Sequence, residues 1–141
     1  MVVSSDLGEP DNVHYSRKKP GGGDRLANLV LQKVYRMLEI HGESPFGCEA
    51  IRQGSEVRIE FRNSGAKLQT FDGRTLCGFQ LRDHLGNWSV VPAMIDQGTV
   101  LLDDTSVNHA DAVAYAWQPF PNANLVNAYE LPASTFILTI R

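Results

Sequence analysis

The chain has 141 residues, 43% hydrophobic and 21% charged, the mix of a globular domain rather than of a disordered segment. A formal charge of −3 and one short basic run, Arg17-Lys18-Lys19, exclude the electrostatic stripe that nucleic-acid binding needs. No apolar run approaches the roughly 18 residues of a membrane-crossing helix, so no membrane contact is expected. The N-terminus lacks the basic-then-apolar layout of a signal peptide. Cys48 and Cys77 form no CxxC pair and have no histidine at metal spacing, so no spacing recommends a metal site. A disulfide between them and two buried thiols both stay open.

In chain order, Met1-Val2-Val3 is a short apolar run that ends in Ser4-Ser5-Asp6-Leu7-Gly8, and a polar loop follows to Gly21-Gly22-Gly23. Asp24 stands where a helix N-cap belongs, because its carboxylate can accept from free first-turn amides. Leu26, Leu29, Val30, Val34 and Leu38 recur at spacings of three and four. This predicts an amphipathic helix of about four turns, stopping at His41-Gly42.

Beyond residue 45 the helical period disappears. Val57, Ile59 and Phe61 alternate with Glu56, Arg58, Glu60 and Arg62, the signature of a strand with one buried face. Further strands are expected at Phe79–Arg82, Trp88–Ile95, Val100–Leu102, Ala112–Trp117 and Phe136–Ile140, separated by Asn63-Ser64-Gly65, Phe71-Asp72-Gly73 and His84-Leu85-Gly86-Asn87 turns. Short strands with a turn every ten or so residues predict an antiparallel β-sandwich or barrel. The chain thus divides into residues 1–44 and residues 45–141, and the first piece is too small to bury a core of its own.

Asp11-Asn12-Val13-His14 is the sharpest chemical signal. A carboxylate three residues before an imidazole, in a loop between strand and helix, suits a charge relay in which Asp11 orients His14 and His14 takes a proton from a nucleophile. An Asx turn followed by a surface histidine reads the same residues without chemistry. His41, His84 and His109 read as surface residues. Ser44, in His41-Gly42-Glu43-Ser44-Pro45, lacks the strand–turn–helix setting of a nucleophile elbow and reads as linker. In residues 110–134, Pro119 and Pro121 end a strand, Asn122, Asn124 and Asn127 suit the backbone of an irregular loop, and Leu125 and Leu131 anchor it. Trp117 beside amides also suits a sugar platform, though core packing explains an aromatic equally well.

The chain resembles the C-terminal region of sialate O-acetylesterase-like proteins. The resemblance is carried by Gly78-Phe79, Ala93-Met94-Ile95, Val113, Tyr115-Ala116-Trp117, Pro121, Asn124-Leu125, Asn127, Leu131-Pro132-Ala133-Ser134 and Phe136. Upstream, Asp6-Leu7-Gly8, Asp11 to His14, Arg17-Lys18-Lys19 and Arg25-Leu26-Ala27 follow the same family's order. The resemblance implies an α+β fragment: the terminal strand–loop–helix of an SGNH-type α/β hydrolase domain (1–44), then an antiparallel β-sandwich-like module (45–141). It implies hydrolysis of acetyl esters on sugars by a Ser-His-Asp mechanism without cofactor. His14 would be the base, Asp11 its partner and Asp6 the second candidate, with the serine on an upstream segment. The chain alone is then expected to be inactive. The family's export implies a periplasmic or extracellular setting.

Departures from the family pattern are Tyr15 after the histidine, a gap from His14 to Leu26 one residue longer, Pro20 with the glycine run, Ala114 and Thr135. The other expectation is a non-catalytic β-sandwich that binds carbohydrate or docks on a hydrolase subunit.

Overall fold

The computed structural model describes residues 1–8, 19–107 and 109–141, with Lys19 and Pro20 as backbone only. Among these residues it has one helix, α1 (Lys19–Lys33), and ten strands. These are β1 (Phe46–Gln53), β2 (Glu56–Arg62), β3 (Leu68–Thr70), β4 (Phe79–Arg82), β5 (Trp88–Val90), β6 (Ala93–Asp96), β7 (Thr99–Asp103), β8 (Ala112–Tyr115), β9 (Leu125–Asn127) and β10 (Phe136–Thr139). One four-stranded sheet has the order β1-β2-β7-β6, a second β10-β8-β4-β5, and β3 pairs with β9 as a ribbon. All of these strand pairings are antiparallel. The protein is therefore α+β, dominated by antiparallel sheet.

The alternation in β2 does what it predicts. Val57 and Ile59 are fully buried and join Val100 and Leu102 of β7 in one cluster with Phe79, Leu81, Val113, Tyr115 and Phe136 of the second sheet. Phe61 meets Phe136 edge-on at 5.8 Å, and Phe136 stacks on Tyr115 at 5.7 Å. A Cβ on Gly47 would lie 2.7 Å from the Phe136 ring, so β1 needs glycine there, and its register shifts between Gly47 and Glu49. β8 lies between β10 and β4 with every residue buried, which is why Ala112 and Ala114 have no room to be larger. An isolated parallel bridge between Ala50 and Ile140 joins the sheets. There the Arg52 amide donates to the Arg141 carbonyl (2.8 Å) and the Arg141 amide to that of Ala50 (3.0 Å).

The Trp88–Ile95 strand is in fact two. It breaks at Val91-Pro92, and β5 belongs to one sheet while β6 belongs to the other. The helix also differs from expectation. It begins at Lys19, takes in Pro20 and the three glycines, and ends before Val34; Asp24 is inside it rather than capping it. Proline is tolerated in a first turn because its missing amide has no helical partner there. Gly21 and Gly22 leave space for Leu7, whose methyls would lie 3.3 and 3.6 Å from their added Cβ atoms. The helix stops where Arg36 adopts φ 55°, and Val34 and Leu38 fall beyond it.

Gly42 is not a helix stop. It lies against the helix backbone, where a Cβ would be 2.5 Å from the Leu29 nitrogen. Its amide donates to Gln32 Oε1 at 2.9 Å, and Lys33 pairs with Glu43 at 2.8 Å. Residues 34–43 are thus folded back on α1.

Gly23 has nothing within 4 Å of an added Cβ. Gly23→Ala is expected to strengthen the helix by up to about 1 kcal/mol, read as a larger helical far-UV signal that melts later. Gly42→Ala should do the opposite, because its methyl meets backbone that cannot swing aside.

Candidate functional site

Asp11 and His14 lie outside the described residues. Their flanks do not. Leu7 closes on the first turns of α1 as above, and Gly8 lies beside Phe120, whose Cε1 would be 3.5 Å from an added Cβ. The segment up to Gly8 is held by Asp6. Arg25 donates to both its carboxylate oxygens, at 2.6 and 2.7 Å, and to the Val3 carbonyl at 3.0 Å. Asp6 therefore anchors residues 1–8 to the helix.

The other residues singled out have structural surroundings. His41 stacks on Tyr129 with ring centroids 3.6 Å apart. His84 and His109 are exposed. Ser44 is half-buried between coil and β1, with its carbonyl accepting from Asn63 at 3.5 Å, and no helix follows it. Cys48 and Cys77 are both free thiols. Among the described residues no three His, Cys, Asp or Glu side chains are grouped to hold a metal ion.

The asparagines of the β8–β9 region divide by role. Asn124 accepts from the Cys77 amide and donates to Asp72 and to the Thr75 carbonyl, each at 3.0 Å. Asn127, 1% exposed, donates to the carbonyls of Glu43 (3.1 Å) and Asn63 (3.2 Å) and accepts from the amides of Tyr129 and Leu131 (both 3.0 Å). Both satisfy backbone that would otherwise be buried without partners. Tyr115 accepts from the Leu125 amide at 3.0 Å, and burial holds its phenol well above the usual range. Asn122 is different: it is exposed. So is Trp117. The strand ends at Tyr115, and Ala116 after it takes φ 52° while its amide donates to the Gly78 carbonyl at 2.9 Å. This left-handed residue turns Trp117 out of the core, to 59% exposure.

Two larger hollows flank the N-terminal segment. One, about 510 Å³, is a groove between Met1, Val3, Leu29 and Val30 on one side and Phe46 and Ser134 on the other. The second, about 340 Å³, lies between Ser5-Asp6 and Phe71, Ala116, Pro121 and Glu130. Residues 5–8 thus sit at the same end of the β structure as the Trp117 loop.

Two predictions follow the hydrogen bonds. Tyr115→Phe leaves the Leu125 amide unpaired in the core and should cost about 1–3 kcal/mol, measured by denaturant unfolding. Asp83 is held below the ordinary carboxylate range by Asn87, Asp103 by Thr105, and Asp111 by Arg82. A depressed folded value stabilises above the unfolded pKa and is lost as pH falls through the folded one. The melting temperature should hold down to about pH 4 and fall below it. Asp111→Asn should make that fall smaller, and added salt should shrink it further.

No protein-family model matches the chain, and no curated protein matches it. Among solved structures it is similar to the crystal structure of a novel carbohydrate acetylesterase from Xanthomonas citri, with 28% identity and a TM-score of 0.83. The match covers 94% of this chain and 30% of that one; the chain spans under a third of the length of the acetylesterase. Over nearly all its residues the chain is built like part of a carbohydrate esterase, a likeness that does not narrow the sugar to sialate.

Proposed function

We propose that the chain is the C-terminal part of a carbohydrate O-acetylesterase, of sialate type by its sequence motifs. Residues 1–44 are the last strand–loop–helix of an SGNH-type hydrolase domain and residues 45–141 its β module. The observation that carries this reading is the likeness over 94% of the chain to under a third of a carbohydrate acetylesterase. A second supports it. α1 and the turn after it leave Leu26, Val30, Val34 and Leu38 exposed, Leu38 to 85%, and Val30 and Val34 line a groove with Met1. An apolar stripe of this kind calls for a cover, and the serine-bearing remainder of the hydrolase domain is the cover proposed.

In the assembled enzyme, a serine outside these 141 residues attacks the acetyl carbonyl. His14 removes the hydroxyl proton, and Asp11 fixes the imidazole and stabilises its charged form. The tetrahedral intermediate collapses, the C–O bond to the sugar breaks, and His14 returns its proton to the departing sugar oxygen. Water then attacks the acyl-serine and gives a proton to His14; the bond to the serine oxygen breaks, His14 returns the proton to that oxygen, and acetate leaves. The substrate is an acetylated carbohydrate. Among the described residues, the exposed Trp117 favours a second reading, a non-catalytic module that binds carbohydrate.

The test is hydrolysis of 4-nitrophenyl acetate. The 141-residue chain alone should match its His14→Ala variant. Fused behind the serine-bearing part of the Xanthomonas citri acetylesterase, it should restore turnover, and His14→Ala should abolish roughly 10³-fold or more of it. Turnover by the isolated chain that disappears with His14→Ala would place the nucleophile within these residues, with Ser44 the first to replace. A fusion that stays inactive would leave the binding module as the better reading.

A further inference from the structure

Trp117 stands beside a small cleft, about 160 Å³, to which Gln80, Val90, Gln118, Pro121 and Asn122 also contribute. A second, more open hollow of about 300 Å³ is shared by Trp117, Gln118, Pro119 and Thr135. The smaller one has the scale of a single pyranose ring. Among the described residues, no charged side chain lines either hollow.

The floor is rigid. Gly78, at φ 98°, packs so closely that an added Cβ would lie 2.8 Å from that of Ala123. The Val91 amide reaches the Phe79 carbonyl at 3.4 Å. Ala116 holds a left-handed conformation although it is buried and has a side chain, a strained arrangement whose local effect is to present the indole.

We infer that Trp117 is the stacking surface of a saccharide subsite, with Gln80, Gln118 and Asn122 as its hydroxyl partners. A pyranose offers one face of C–H bonds and a rim of hydroxyls. An exposed indole matches the face. Primary amides match the rim, because each can both donate and accept. With no cation among the lining side chains to meet a carboxylate, the class is neutral sugars rather than acidic ones. This class is drawn from the platform itself and rests on the carbohydrate-binding reading above; a sialate, being acidic, would be held elsewhere, so the subsite stands whether or not the chain belongs to an esterase.

The test is a titration of the 141-residue chain with cellotetraose, xylotetraose and N-acetylneuraminic acid, followed by the two indole N–H resonances in NMR. One of the neutral tetrasaccharides should shift the Trp117 signal saturably, with a dissociation constant on the order of millimolar for so small a site. N-acetylneuraminic acid should not. Trp117→Ala should weaken binding roughly tenfold or more, Trp117→Phe should keep most of it, and Trp88→Ala should leave it unchanged. Should Trp117→Ala lose its native far-UV spectrum, the exposed pair Gln118→Ala and Asn122→Ala serves instead and should weaken binding several-fold. The inference is overturned if neither tetrasaccharide shifts Trp117, if binding survives in folded Trp117→Ala, or if only the acidic sugar binds. It is also overturned if the serine-bearing acetylesterase segment buries Trp117 and no saccharide competes with it.

Discussion

The four hydrogen bonds of the Asn127 side chain hold together pieces of chain that lie far apart in sequence. Its amide donates to the segment leading out of the helix (Glu43) and to the end of β2 (Asn63), while its oxygen accepts from the Tyr129 and Leu131 amides. A primary amide is the one side chain that can donate twice and accept twice from a fixed plane. Replace it with a carboxylate and two carbonyls face an acceptor; replace it with an apolar group and four buried or part-buried backbone groups lose partners. His41 on Tyr129 and Gly42 on α1 continue the same junction.

That junction is made of side-chain hydrogen bonds and one ring stack, whereas the β structure is held by a continuous aromatic and aliphatic core. Stability is therefore distributed unevenly. The hydrophobic core lies in the β structure, while Asp6–Arg25 and Lys33–Glu43 tie residues 1–8 and the 41–45 segment to α1. The core-bearing β structure carries Trp117, while residues 1–8 and α1 flank the stretch that holds Asp11 and His14 in the sequence.

How much of this was legible in the sequence depended on how many forces acted on each segment. β2 was readable because one force, burial of a single face, decides it. β1 was not: its burial is irregular, its register shifts at Gly47, and that glycine answers to Phe136, nearly ninety positions away. β3 and β9 are three residues each, too short for any period. The helix was recognised but displaced toward the C-terminus, because the apolar spacing from Leu26 to Leu38 continues past the point where Arg36 reverses the chain. The three glycines disguised its first turns. Asn124 and Asn127 were correctly read as loop supports; Asn122 looks identical in sequence and points to solvent. Of the site, Asp11 and His14 were visible only as spacing and resemblance, while the hollow beside Trp117 assembles side chains from β4, β5 and the β8–β9 loop that no local pattern joins.

The seam between Ala50 and Ile140 bears on the order in which the protein can be made. β1 and β2 are neighbours in sequence and pair through a tight hairpin at Gly54, φ 66°, so they can pair before the later strands are made. The other side of β1 must wait for Ile140 and Arg141. Until then β1 has an open edge, and β8, in the middle of its sheet, has β4 but no β10. During translation the first half of the sandwich thus exists as a half-finished sheet with unsatisfied backbone, the condition in which strands of neighbouring chains pair wrongly. Ribosome pausing or a chaperone acting on the nascent chain would matter most in the interval between β8 and β10.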